Sequence, residues 1–132
     1  MRTILWLQGG ACGGNTLSFL NAENPDVLEF FEMYNAKLLW HPSLSLETGD
    51  KVREILQQII KEKIQLDVFI FEGTVVLGPN GTGKFNIFAG KPMKDWVYEI
   101  SKVANYVVAV GDCASFGGVP ASEPNPTEST GL

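Results

Sequence analysis

Four short apolar runs recur at roughly even intervals along the chain, and this spacing constrains the fold more than any other feature. The runs are Thr3–Leu7, Lys37–Trp40, Asp67–Phe71 and Tyr106–Val110. They are continuous instead of alternating between apolar and polar residues, and they are rich in β-branched and aromatic side chains. Strands covered on both faces have this composition, which is typical of parallel sheets. We therefore predict a parallel sheet of at least four strands.

Helical patterns lie between the predicted strands. Asn24 and Pro25 offer a cap and a first helical residue for a helix over Asp26–Asn35. A longer amphipathic helix is predicted over about Thr48–Ile64, and a third helix begins near Pro92. Because strand, helix and strand alternate, we expect right-handed βαβ crossovers. The predicted fold class is α/β, a flavodoxin-like doubly wound parallel sheet.

Composition and charge narrow the class of protein. Residues 1–132 have the length of one ordinary domain, and 45% hydrophobic with 19% charged residues is a globular balance. The net charge is −5 and the ten basic residues are scattered, so nucleic-acid binding is not expected. The sequence contains no apolar run long enough to span a membrane and no recognisable signal peptide. We therefore predict a cytoplasmic protein without a transmembrane segment.

Both cysteines of the chain follow predicted strands. Cys12 comes after the first strand and Cys113 after the fourth. Because ligands of open α/β sheets bind beyond the carboxyl ends of the strands, both thiols are predicted to lie on one rim of the sheet. Two thiols on one rim suggest a shared soft metal centre, whereas the alternative is that each is a small buried residue. Two thiolates are too few to close a typical four-cysteine cluster.

Glycines flank both cysteines, and we predict that they lie against a bound cofactor. The candidates are Gly10, Gly13, Gly14 and Gly111. Glycine lets the backbone approach a ligand closely, and exposed amides in such loops can donate hydrogen bonds to the sulfurs of a cluster.

Two further polar residues are predicted at strand ends. Glu72 is a candidate catalytic residue that relays protons; the alternative is a carboxylate that orders the turn at Gly73 by accepting amide hydrogen bonds. His41 could be a ligand or a proton carrier, although a histidine at a strand end is more often simply hydrogen-bonded in place. The three tryptophans are predicted to lie in the core: Trp6, Trp40 and Trp96.

Three segments carry a resemblance to a known family. Leu5–Ala22 resembles the opening of the small subunit of nickel–iron hydrogenases, whose first loop carries ligands of the proximal iron–sulfur cluster. Glu72–Thr74 is similar to the EG-containing turn of that family, and Gly111–Thr127 resembles its loop with a third cluster cysteine followed by Pro-Asn-Pro. The resemblance implies an electron-transfer subunit that receives electrons from hydrogen oxidation on a separate large subunit, which carries the nickel–iron centre.

The resemblance also implies a set of metal ligands. Cys12 and Cys113 would be thiolate ligands of the proximal cluster, and Asn15 stands where the family usually has a cysteine. This variant looks like that of uptake-type small subunits, especially cyanobacterial ones. Asn15 could ligate iron through its amide oxygen, and the cluster would then be 4Fe–4S or 3Fe–4S. The family's remaining ligands and its C-terminal cluster domain have no counterpart in these residues. We therefore interpret the chain as a fragment, a truncated gene product or a short paralogue, inactive when isolated.

Three alternatives stay open. Gly78–Phe85 nearly matches a P-loop, but Phe85 has no hydroxyl for magnesium, and we predict a surface loop that faces a partner subunit. A flavin or phosphate site at Gly9–Gly14 is possible because flavodoxin-like sheets use their first loop. The third alternative is a cluster-free paralogue that acts only as an interaction protein.

Overall fold

The computed structural model describes residues 1–132, and a four-stranded parallel sheet lies at its centre. The strands are β1 (Arg2–Gln8), β2 (Ala36–Trp40), β3 (Val68–Glu72) and β4 (Tyr106–Val110). Their order across the sheet is β2-β1-β3-β4, in which the first two strands are exchanged. This is the flavodoxin-like order. The predicted fold class is therefore confirmed.

The register of the sheet brings the ends of three strands into one row. Gln8 of β1 pairs with Glu72 of β3, and Glu72 pairs with Val110 of β4. The chain leaves each of these strands on the same side, because the strands are parallel. The segments that carry the two cysteines therefore begin on the same rim, with the end of β3 between them, although they are far apart in sequence.

Five helices connect and flank the strands. They are α1 (Gly14–Leu20), α2 (Val27–Met33), α3 (Asp50–Ile60), α4 (Met93–Val103) and α5 (Gly111–Phe116). None of these helices is both long and apolar enough to cross a membrane.

The main core lies between one face of the sheet and the two longest helices, α3 and α4. Both helices place apolar residues at helical spacing against the sheet. Fifteen buried residues form this cluster, among them Leu5 and Phe69 of the sheet, Leu56 of α3 and Trp96 of α4. The other face carries Trp6, whose ring stacks on Phe19 of α1 at a centroid distance of 5.5 Å. All three tryptophans are buried, as predicted.

Several helix boundaries differ from the prediction. Helix α2 is capped by Asp26, not by Asn24, because the Asp26 side chain accepts the amide of Glu29 while the Glu29 side chain accepts the amide of Asp26. Helix α3 is shorter than predicted at both ends. It ends at Ile60, since the chain turns at Glu62 with a positive φ of 56°.

The prediction that all four strands are covered on both faces is wrong for β4. Tyr106, Val107 and Val108 are exposed by 70%, 39% and 42%. Strand β4 lies at the edge of the sheet, so one side of its backbone has no neighbouring strand.

Two short antiparallel pairs lie outside the main sheet. Ser129–Thr130 pairs with Val75–Val76, and Ile87–Phe88 pairs with Lys91–Pro92.

Candidate functional site

The two cysteines line one cavity at the carboxyl rim of the sheet. The cavity has a volume of about 610 Å³, and most of its wall is apolar. Its lining residues are Gly10, Ala11, Cys12, Thr74, Val76, Cys113, Val119, Pro120, Thr127 and Ser129. The structure therefore brings together two thiols that are separated by most of the chain. Both are free, Cys12 exposed and Cys113 half-buried.

The segment that carries Cys12 is tied to the strand end of β3. The amide of Gly10 donates to the Thr74 carbonyl at 2.9 Å, and the amide of Thr74 donates to the Gly10 carbonyl at 3.1 Å. A Cβ on Gly10 would lie 2.7 Å from the Thr74 methyl group, so only glycine allows this approach. Beyond it, the Gly14 amide donates to Cys12 Sγ at 3.3 Å. This contact shows that the backbone of the loop is directed at the sulfur.

Cys113 lies in the first turn of α5, which starts directly after β4. A Cβ on Gly118 would lie 2.6 Å from Cys113 Sγ, and Gly118 has a positive φ of 61°. The residue at 118 therefore has to lack a side chain for two separate reasons. Tight packing of Gly118 thus limits where the Cys113 sulfur can go.

Asn15 lies beside the cavity, not in its wall. Its Nδ2 donates to the Val110 carbonyl at 3.4 Å, and a Cβ on Gly111 would lie 2.3 Å from the same nitrogen. Gly111, with a φ of 82°, therefore leaves room for the Asn15 amide. The ligand role of Asn15 and the cofactor-binding roles of Gly13, Gly14 and Gly111 stay predictions.

The donor set fits part of an iron–sulfur site. A typical 4Fe–4S cluster is held by four thiolates, of which this chain places two in the cavity. No cluster of three or more His, Cys, Asp or Glu side chains is present in the structure. Cys12 and Cys113 can therefore hold one side of such a group, and further ligands have to come from elsewhere.

Glu72 is the most densely hydrogen-bonded side chain near the cavity, and it is only 1% exposed. Burial raises the pKa of its carboxyl, but donated hydrogen bonds from Thr16, Gln8 and Trp6 outweigh this effect and lower the pKa. The carboxylate is therefore kept ionised inside the protein. The proton-relay role of Glu72 stays a prediction.

His41 lies next to this carboxylate and is fully buried. Its Nδ1 accepts the Ser43 amide at 2.9 Å, and its Nε2 lies 3.3 Å from Thr16 Oγ1. Burial lowers the pKa of His41, while the charge of Glu72 raises it, and the net shift is downward. The imidazole is thus held in place by hydrogen bonds, and it does not line the cavity of the thiols.

Sequence reasoning missed the partners of Glu72. Trp6, Gln8 and Thr16 all donate to its carboxylate. One signal was present, because Gln8 and Glu72 are polar residues that end two adjacent buried runs. Thr16 gave no such signal, since α1 is only seven residues long and shows no helical period.

The P-loop-like segment already binds an anion of its own chain. The amides of Asn80 and Gly81 donate to the Glu128 carboxylate at 2.7 and 3.2 Å. A nucleotide phosphate at Gly78–Phe85 would require such amides. The structure therefore adds no support for nucleotide binding there.

The fold and the cavity together define a flavodoxin-like α/β protein with paired thiols on its rim. The chain belongs to the family described as NADH ubiquinone oxidoreductase, 20 Kd subunit, which it matches over residues 12–131. This match covers both cysteines and the whole of the cavity wall beyond Ala11.

Comparison with known proteins confirms the resemblance to hydrogenase small subunits. The chain is 29% identical over 130 residues, 91% of its length, to the F420 non-reducing hydrogenase I small subunit of Methanosarcina mazei. It is 30% identical over 129 residues, 98% of its length, to the Hydrogenase-2 small chain of Escherichia coli. It spans about a third, 34%, of each of these relatives.

A solved structure agrees with this assignment. The Ni-Fe-Se hydrogenase from Desulfomicrobium baculatum, in a reduced and active form, contains a chain with a TM-score of 0.86 and 25% sequence identity. The match covers 98% of this protein and 49% of that chain. The arrangement of β1–β4 and their helices is therefore that of the hydrogenase chain.

Proposed function

We propose that this chain is the proximal-cluster part of an electron-transfer small subunit of a nickel–iron hydrogenase. The observation that carries the proposal is the single cavity lined by both Cys12 and Cys113. Family membership and the named relatives support the same reading. An iron–sulfur cluster held there would accept and release electrons one at a time.

The chain's own residues would contribute three things to such a site. Cys12 and Cys113 bind iron as thiolates, which are soft ligands suited to iron–sulfur clusters. The Gly14 amide, which already donates to Cys12 Sγ, stabilises negative charge on that sulfur. Asn15 is the proposed third ligand, and it would need to give up the hydrogen bond from its Nδ2 to the Val110 carbonyl and turn its amide oxygen towards the cavity.

The partner would be a large subunit that carries the nickel–iron centre and the hydrogen chemistry. Exposed apolar side chains on the segments that follow the two cysteines are the residues we propose to contact it: Leu17, Phe116 and Val119 are exposed by 65%, 81% and 85%. The cluster type, 4Fe–4S or 3Fe–4S, the uptake-like variant and a cytoplasmic location remain parts of the proposal.

Anaerobic reconstitution tests the site directly. Wild-type protein, Cys12→Ser and Cys113→Ser are incubated with ferrous iron and sulfide, desalted, and analysed for iron and for broad visible absorption. We expect iron in the wild type and its loss in both variants, with Thr82→Ala on the distant loop as a control. Equal iron in all four proteins would remove the two thiols from the site.

One alternative has an observation in its favour. Because only two thiols line the cavity, the fold could persist without a cluster and act purely as an interaction protein. In that case folded wild-type protein contains no iron after reconstitution, yet still binds a hydrogenase large subunit. Resolved yellow absorption bands in purified protein would instead identify a flavin.

A further inference from the structure

Helix α1 begins without a capping side chain of its own. Its N-cap residue is Gly13, which makes no side-chain hydrogen bond. The first amides of a helix need acceptors, and Ser, Thr, Asp or Asn normally provide one from the N-cap position. Here Glu72 takes that place from β3: its Oε1 accepts the amides of Asn15 at 3.0 Å and Thr16 at 3.1 Å.

The second oxygen of Glu72 is anchored to the sheet. Its Oε2 accepts Trp6 Nε1 at 3.1 Å and Gln8 Nε2 at 2.9 Å, both from β1. Thr16 Oγ1 donates to the same oxygen at 2.5 Å. Five donors thus surround one buried carboxylate, and they connect β1, β3 and the start of α1.

His41 fixes the direction of the last of these bonds. Because His41 Nδ1 accepts the Ser43 amide, the proton of the neutral ring is on Nε2. Nε2 then donates to Thr16 Oγ1, which leaves the Thr16 hydrogen for Glu72. All the hydrogen bonds around Thr16 are therefore oriented towards the carboxylate.

Apart from the capping of α1 by Glu72, few interactions restrain Cys12. It is exposed, and its sulfur accepts a hydrogen bond from the Gly14 amide two residues on. The segment is held before Cys12 by the Gly10–Thr74 pair and after it by the amides of Asn15 and Thr16. Release of the second attachment would leave the start of α1 held by the Asn15 bond to Val110 and by the stacking of Phe19 on Trp6, and the loop of Cys12 less restrained.

We propose that Glu72 is a positioning residue, which caps α1 from β3 and thereby holds the Cys12 thiol in the cavity opposite Cys113. As far as it concerns the cluster, this proposal rests on the proposed function. The positioning itself is a property of the metal-free chain.

Glu72→Gln tests it with almost no change in volume. In one orientation the Gln NH₂ group faces the amides of Asn15 and Thr16, and in the other it faces the donors of β1. Because an NH₂ group cannot accept from these donors, either the helix cap or the attachment to β1 is lost. In metal-free protein we expect hydrogen exchange of the Asn15 and Thr16 amides, and alkylation of Cys12, to accelerate about fivefold or more, as for the loss of a helix cap. The amides of α3 and β1 should keep their protection from hydrogen exchange. The alkylation rate of Cys113 should not change.

Asp26→Asn is the matched control, because Asp26 also caps a helix with a carboxylate but lies on α2, outside the cavity wall. It should leave Cys12 alkylation unchanged. Thr16→Val is a second variant, which removes one donor and keeps both backbone bonds to Glu72. It should accelerate Cys12 alkylation less than Glu72→Gln does, and Thr16→Ser should restore the wild-type rate.

Three results would overturn the proposal. They are an unchanged exchange of Asn15 and Thr16 in folded Glu72→Gln, a uniform acceleration of all amides, and unchanged Cys12 alkylation in both Glu72→Gln and Thr16→Val. Absence of iron from reconstituted wild type would contradict the proposed function and leave the positioning result intact. Unaltered iron content and reduction potential in Glu72→Gln would show that the cap does not serve the cluster.

Discussion

The two cysteine segments of the rim are held in different ways. The first, Gly9–Gly14, is attached by hydrogen bonds to residues of another strand, chiefly Glu72 and Thr74. The second, Gly111–Gly118, runs directly from β4 into α5. Its first and last glycines are packed so closely against other residues that a side chain there would not fit. The position of Cys12 therefore depends on polar partners as well as on the close packing of Gly9 and Gly10, and that of Cys113 chiefly on close packing.

This difference predicts which changes each thiol will tolerate. Directly beside Cys12, a Cβ at Gly13 would meet nothing within 4 Å, whereas a Cβ at Gly111 or Gly118, near Cys113, would overlap another residue. Loss of a hydrogen-bond partner should therefore disturb Cys12, and a methyl group added at the neighbouring glycines should disturb chiefly Cys113. Three substitutions and one change of pH, taken in order of decreasing expected effect, test this contrast.

Gly111→Ala should have the largest effect. Its Cβ would overlap the Asn15 amide at a backbone with φ of 82°, so both strain and overpacking destabilise the fold, by about 3 kcal/mol. Gly81→Ala, with φ of 72° and open space, should cost about 1 kcal/mol. Urea unfolding measures both. Equal losses would show that the Asn15 contact is not restrictive.

Gly118→Ala should come next, with a loss of about 2 kcal/mol and a changed alkylation rate of Cys113. The reason is the 2.6 Å approach of its Cβ to Cys113 Sγ. Gly13→Ala, on the first segment, has φ of 79° and no such overlap, so it should leave the reactivity of Cys113 unchanged. A changed Cys113 rate in both variants would contradict the separation of the two segments.

Trp6→Phe should cost about 1 kcal/mol, because Glu72 loses one donor while the stacking on Phe19 is kept. Trp40→Phe is the matched control, since its Nε1 donates to the Glu47 carbonyl, away from the thiols. Thermal unfolding should register both changes. Only Trp6→Phe should accelerate alkylation of Cys12. An equal acceleration in Trp40→Phe would contradict the role of the Trp6 hydrogen bond to Glu72 in positioning Cys12.

The smallest expected effect is the loss of folding stability at acidic pH. Burial lowers the pKa of His41 in the folded chain below its ordinary value of about 6.5. At pH values between the folded and the ordinary pKa, His41 is therefore protonated in the unfolded chain and neutral in the folded chain. Stability is therefore full above the ordinary pKa and declines as the pH falls towards the folded pKa. The lowered pKa of Glu72 adds a second decline, below about 4.5. Urea midpoints at pH 7.5 and 5.5 should differ less in His41→Gln than in the wild type.

The sequence predicted the sheet well because its signal is local. Continuous apolar runs marked β1 to β4 to within two residues at each end, and the known geometry of parallel strands then placed both cysteines on one rim. The short helices α1 and α5 were missed, since seven and six residues are too few to show a helical period. The edge exposure of β4 was missed because its composition is that of a buried strand.

Apart from the polar pair Gln8 and Glu72 at two strand ends, the surroundings of Glu72 could not be predicted from the sequence. Its partners Trp6, Gln8 and Thr16 come from two separate elements, and His41 from a third. The register of β1 and β3 brings Trp6 and Gln8 to Glu72, and the packing of α1 against the sheet brings Thr16. The orientation of Asn15 towards Val110 is likewise a tertiary feature.

Strand β4 has a consequence for handling the protein. Its free side presents unpaired backbone groups beside the exposed Tyr106 and Val108, and such a margin is a template for adding a further strand from any other polypeptide. Concentrated preparations should accordingly tend towards intermolecular β-pairing and precipitation. Val107→Lys would work against this tendency, because a charged side chain on an outermost strand opposes pairing with a further strand.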